Sequence, residues 1–207
     1  MYAKRYFPLE AKSVADEMVQ YVRAEFKRIL EEIQWMDPVT SRKANTKADK
    51  MISHIAYSEE ILDNALLDDF YSGLKLESDS FLLNILSLKT FIRGHQAREF
   101  RSEVDPRDWR THSGAALVDA YYNSDENSIT FPAGILGGVF FNKDRPQYMN
   151  YGAIGVVVGH EITHGFDDAG SQKDEEGNLV DWWQPRTKAG VRVVISSSLE
   201  LLHREIV

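Results

Sequence analysis

The sequence predicts a mainly α-helical chain with a small mixed β-sheet, an α+β class. Apolar residues recur at helical spacing from Pro8 to Asp105-Pro106. Two β-prone runs, Leu117–Tyr122 and Ser128–Phe131, then flank a polar turn, and an apolar stretch from Ala153 to about Phe166 returns to helix length.

Taken in order, Pro8 suits the first turn of a helix, and Val14, Met18, Val22, Ile29, Ile33 and Met36 mark one face of it to about residue 36. The charges between them read as a solvated face. "WMDP" stops that helix. Asp37 can cap the next one with Pro38 at its first position, and Ala44, Ala48, Met51 and Ile55 mark its buried stripe. A shorter helical stretch follows in "YSEEILDNALLDDFYSGL". Ser78 or Asp79 can cap a third long helix that turns Phe81, Ile85, Leu88 and Ile92 inward, and Asp105-Pro106 closes it. The β-prone runs read as a hairpin or two neighbouring strands, and "GGVFFNKDRPQYMNYG" as loop. The organisation expected is a helical part over 1–108, a part with edge strand and motif helix over 109–183, and a C-terminal tail over 184–207.

Composition narrows the function. The 207 residues are 43% hydrophobic and 11% aromatic, enough for a packed core. With 24 basic against 32 acidic residues the net charge is −8, which argues against a partner recognised through nucleic-acid phosphates. Without cysteine there is no disulfide framework and no thiolate metal site. No apolar run reaches the roughly 18 residues of a membrane span, and the N-terminal stretch lacks the apolar core of a secretory signal.

The chemistry gathers in "GHEITHGF". On a helix, His160 and His164 lie about 40° apart around the axis and about 6 Å along it. Both imidazoles can therefore reach one zinc ion at about 2.0–2.1 Å. Glu161 points to the flank, where it can take a proton from zinc-bound water and pass it to a leaving amine. Two ligands and one base are what an HExxH helix supplies. Gly152, Gly155 and Gly159 would allow that helix to pack closely. Asp167 and Asp168 follow His164 at three and four residues, so either could bond the far nitrogen of its ring, or simply end the helix.

"VVVGHEITHGFDDAG" and "GNLVDWW", with "FPAGIL" and "VDAYY" upstream and "WMD" before the second helix, resemble the neprilysin-like zinc metallopeptidases, which include the endothelin-converting enzymes. The resemblance runs from about residue 2 to Trp183. It implies a thermolysin-like zinc-helix region of a larger, mostly helical ectopeptidase, on the extracellular face of the plasma membrane or secreted. Such an enzyme binds one zinc ion and cuts oligopeptides on the amino side of hydrophobic residues. By the same resemblance His160 and His164 are the zinc histidines and Glu161 the catalytic glutamate. Asp119 and Ala120 open the strand that pairs with substrate backbone, and Phe140, Val156 and Val157 lie near the pocket for the hydrophobic side chain. Asp119 departs from the family's asparagine, and an ionised aspartate only accepts where asparagine also donates; weaker substrate binding is expected.

The family's third zinc ligand is a glutamate in an E-N-x-A-D motif well beyond the zinc helix, and the sequence reaches Val207 without one. The resemblance therefore implies a piece of the family's length, cut at both ends. Glu200 and His203 are the local candidates to substitute. Three readings follow: a zinc endopeptidase, a truncated product that binds peptide or partner without cutting, and a helical scaffold whose HExxH is incidental.

Overall fold

The computed structural model describes residues 2–112 and 114–191. Two compact units make up the chain, one of Met1–Ala56 with Gly114–Val207 and one of Tyr57–Ser113. The division falls at residues 56 and 114 rather than at 108, because an early strand pairs with a late one. Of the 184–207 tail, residues 185–191 are helical, and Glu200 and His203 lie outside the described residues.

In the first unit, α1 (Tyr2–Tyr6) leads into α2 (Leu9–Glu32), with Pro8 at the N-cap. The buried face of α2 is Ala11, Ala15, Met18, Val19 and Leu30; Ile29, expected inside, is 45% exposed. The helix stops at Glu32, short of the expected residue 36. Ile33, Trp35 and Met36 leave it to join a cluster with Leu30, Ala44, Phe166 and Trp182, burial that an extended helix could not give all three.

The next helix, α3 (Pro38–Lys50), begins as the sequence predicts. Asp37 Oδ1 accepts from the N–H groups of Val39 (2.9 Å) and Thr40 (3.1 Å), satisfying two free donors of the first turn. Its Oδ2 accepts from the hydroxyls of Thr187 (2.5 Å) and Thr40 (2.6 Å), pinning residue 187 to the start of α3. The Thr187 hydroxyl, then that of Thr40, hold the Asp37 carboxyl well below the usual carboxylate range. A depressed folded pKa means stability that is complete above the unfolded value of about 3.9 and lost as pH falls through the folded one. Asp37→Asn is thus expected to melt several degrees lower at neutral pH, with the gap closing below about pH 4; thermal melts of both proteins across that range check it.

Ala44, Ala48, Met51 and Ile55 are all buried, but Ile55 is not helical. It belongs to β1 (Ile52–Ala56), which pairs in parallel with β3 (Ser128–Pro132), Ile52 opposite Ser128 through Ala56 opposite Pro132. β2 (Tyr121–Asn123) pairs antiparallel with β3 on its other side, so the order is β1-β3-β2 and β2 is an edge. The hairpin was expected and the third strand was not. Buried along its whole length, β3 is the middle of the sheet, and Asn127 enters it with φ 49°, a left-handed conformation that asparagine tolerates.

The second unit holds α4 (Asn64–Phe70) and α5 (Phe81–Glu99), capped by Asp63 and Ser80 rather than Ser78 or Asp79. Of the inward face expected for α5, Ile85 and Leu88 are half-buried, while Phe81 is 81% exposed and Ile92 44%. Phe91 and His95 instead meet Phe70, at ring separations of 5.6 and 5.0 Å. The seven residues of α4 are too short a partner to cover more of α5.

Candidate active site

The motif helix is the end of a longer helical run. After α6 (Gln147–Asn150) comes a π-helical turn, Tyr151–Gly155, and then α7 (Val156–His164). Ile154, Val158 and Ile162, four apart, are fully buried and seat the run against the core. At about 100° per residue, Glu161 lies roughly 60° from that stripe and His160 roughly 160°. Glu161 is accordingly drawn inside, at 6% exposure, while His160 faces solvent. Of the glycines expected to permit close packing, a Cβ at Gly152 or Gly159 would meet nothing within 4 Å among the described residues, and one at Gly155 would make only ordinary contact with Tyr151.

His160 Nε2 and His164 Nε2 stand 3.0 Å apart, their rings nearly perpendicular. Two zinc–nitrogen bonds at a tetrahedral angle separate their nitrogens by about 3.3 Å, so the pair fits one zinc ion after a shift of a few tenths of an ångström. The far side of the His164 ring supports the same assignment: Nδ1 lies 2.7 Å from Asp167 Oδ2, and donating there leaves the lone pair on Nε2. Asp167 Oδ1 accepts from the N–H groups of Ala169 (2.9 Å) and Gly170 (2.8 Å), which fixes the carboxylate in turn. Burial pushes the Asp167 carboxyl up, but the hydrogen bonds from Gly170, His164 and Ala169 outweigh it and hold it below its usual range. Asp168 is exposed and contributes only its carbonyl, to Gln172. Of the two aspartates that could have met His164, Asp167 does.

Beside the histidines a cleft of about 470 Å³ runs between α7 and the edge strand. Asp119, Ala120, Tyr121 and Tyr122 form one wall, and His160, Glu161, His164 and Asp167 the other. Burial pushes the Glu161 carboxyl above its usual range; the two histidines and a hydrogen bond from the Tyr122 N–H pull the other way, and Asp119 adds to the rise. Asp119 is exposed and spends Oδ1 on the N–H of Ala120, 2.9 Å away. Phe140, Val156 and Val157 are not among the residues that line this cleft. Phe140 sits in the loop after β3, where its carbonyl accepts from Arg145 and Ile154, and Val156 is 66% exposed. Among the described residues no further histidine or carboxylate joins His160 and His164 closely enough to complete a ligand set.

Sequence reading set Tyr122 on the substrate strand but missed Asn127 as a part of the site. The Tyr122 hydroxyl donates to Asn127 Oδ1 (3.1 Å), and Asn127 Nδ2 donates to the Lys47 carbonyl (3.0 Å), which braces the edge strand from behind. The first pairing lies within one hairpin turn, but the second joins residues 80 apart, and no local spacing marks it.

An HExxH helix whose glutamate is buried beside an edge strand, with one histidine held by a carboxylate, is the motif arrangement of the HExxH metallopeptidase class. Profiles of peptidase family M13 match residues 1–58 and 119–197. The chain belongs to peptidase family M13. It is 46% identical to Neprilysin-2 of Drosophila melanogaster over 91% of this chain and 24% of that protein, and 37% identical to Neprilysin of Homo sapiens over 93% and 26%. Among solved structures it superposes on PepO of Lactobacillus rhamnosis with a TM-score of 0.80 at 31% identity, covering 94% of this chain and 30% of that one. On the inhibitor-bound zinc metalloprotease Zmp1 of Mycobacterium tuberculosis the TM-score is 0.74 at 33% identity, over 91% and 27%. The chain thus spans about a quarter of the length of the curated relatives it matches. No helix among the described residues is long and apolar enough to cross a membrane.

Proposed function

We propose that this chain carries the zinc histidines, the general base and the substrate strand of a zinc metalloendopeptidase acting on oligopeptides, with cleavage on the amino side of hydrophobic residues and an extracellular or membrane-surface location, as in the family it belongs to. The observation that carries the reading is the pair of Nε2 atoms 3.0 Å apart with Glu161 in the same cleft. His160 and His164 would hold one zinc ion, which when bound supplies a Lewis acid at the scissile carbonyl. Glu161 accepts a proton from the attacking water and delivers it to the departing nitrogen, so the carboxylate is regenerated as the peptide bond breaks. The outer edge of β2 faces the cleft, where an extended peptide would pair with its backbone with little regard for sequence, displacing the bond the Tyr122 N–H now makes to Glu161. Asp167 keeps the His164 ring in the tautomer that presents Nε2.

A second reading, a chain that binds peptide without cutting it, is favoured by the lack of a third ligand among the described residues. A quenched fluorescent oligopeptide with a hydrophobic residue at its centre separates the two. Turnover that requires zinc and stops with chelator is the peptidase result; zinc-dependent binding of the peptide without turnover is the other.

A further inference from the structure

Behind the cleft lies a lysine that the proposed chemistry does not use. Lys47, on α3, is 1% exposed. Its ammonium donates to three backbone carbonyls, those of Gly165, Gly170 and Lys173, each at 2.7 Å. The rings of Phe166, Trp182 and Tyr122 stand 5.6, 5.8 and 5.9 Å from Nζ, within cation–π range. All three ammonium protons are therefore committed, and every acceptor belongs to the segment that follows the motif helix.

That segment is the one that orients His164. Gly165 caps α7 immediately after the histidine. Gly170 sends its N–H to Asp167 Oδ1 and its carbonyl to Lys47. Asp167 Oδ2 meets His164 Nδ1. A Cβ on Gly170 would collide with the His164 carbonyl oxygen, so the loop lies directly on the end of the helix. The ammonium is thus tied to the imidazole through the backbone of Gly170, whose carbonyl accepts from Lys47 and whose N–H donates to the Asp167 carboxylate. Burying a cation against carbonyls and rings, with no carboxylate among its hydrogen-bond partners, is costly; removing it would leave three carbonyls without their donor.

We propose that Lys47 is a positioning residue for His164: its ammonium clamps residues 165–173 so that Asp167 holds the imidazole in the orientation and tautomer a metal ligand needs. The proposal rests on the zinc reading for its purpose, but its geometry can be tested without metal. The alternative is a lysine that merely staples the core.

The test uses the full 207-residue chain with Lys47→Met and Lys47→Gln, Asp167→Asn as a comparator, and Ile129→Val as a core change outside the clamp. In the metal-free proteins, nitrogen-15 NMR reads the His164 ring proton on Nδ1, which a carboxylate partner shifts downfield and protects from exchange. Zinc affinity is read by chelator competition. The expected result is that Lys47→Met keeps its helical circular dichroism, loses the protected His164 proton as Asp167→Asn does, and binds zinc about 10- to 100-fold more weakly, while Ile129→Val keeps both. A folded Lys47 variant with the His164 proton intact and zinc affinity within about twofold overturns the proposal, and so does unfolding of both Lys47 variants, which would assign the residue to stability alone. If the unsubstituted chain bound no zinc, the functional reading would fail while the NMR comparison still decided the role of Lys47.

Discussion

Alanine at His160 or at His164 is expected to weaken zinc binding by at least about 100-fold, roughly 2.7 kcal/mol, while leaving the metal-free fold in place. The two imidazoles are the ligands that meet beside this cleft, so removing one leaves a single nitrogen there that no longer competes with water. Folding should tolerate both changes for different reasons. His160 is exposed and makes its one hydrogen bond to the other histidine. His164→Ala deprives Asp167 of a partner, but Oδ1 keeps the N–H groups of Ala169 and Gly170. Chelator competition with circular dichroism of the metal-free variants measures both halves. Zinc affinity within about threefold of the unsubstituted chain in either variant would place the metal elsewhere.

Glu161→Gln is the second large effect. Hydrolysis is expected to fall by about 10²- to 10⁴-fold, the range for loss of a positioned general base, with zinc affinity held within about threefold. Glutamine has the same shape, and its amide oxygen can still accept from the Tyr122 N–H, so the cleft keeps its form while the proton acceptor is gone. The quenched-peptide assay on the zinc-loaded chain reads the rate, and the competition assay reads the metal. A loss of rate matched by an equal loss of zinc would mean that Glu161 belongs to the metal's surroundings rather than to the proton's path.

The parts of this site that were legible in the sequence are those whose geometry is local. A four-residue spacing is one helical turn, so His160 and His164 can be brought together on paper. Asp37-Pro38 is likewise a cap and a first-turn residue in any context. The strand β1 was hidden because Met51 and Ile55 continue the three-and-four-residue helical spacing begun by Ala44 and Ala48, and a short apolar run cannot declare its own period. Only β3, far along the chain, makes a strand of it. The π-helical turn before α7 has no composition that marks it. Lys47 could have been noticed: it falls between Ala44 and Ala48 on a face otherwise buried, a lysine where the stripe calls for an apolar residue. Its three carbonyl partners lie more than a hundred residues away, and no spacing rule reaches that far. On α5, Ile85 and Leu88 are half-buried as expected but Phe81 and Ile92 are not, since how much of an apolar helix is covered depends on how little α4 has to offer.

Zinc K-edge X-ray absorption of the full chain loaded with one equivalent of the metal tests the central claim most directly. A first shell containing two imidazole nitrogens at about 2.0 Å, reduced to one in either histidine variant, is the predicted result. A shell without imidazole, or one unchanged when His160 and His164 are both replaced, would contradict the account.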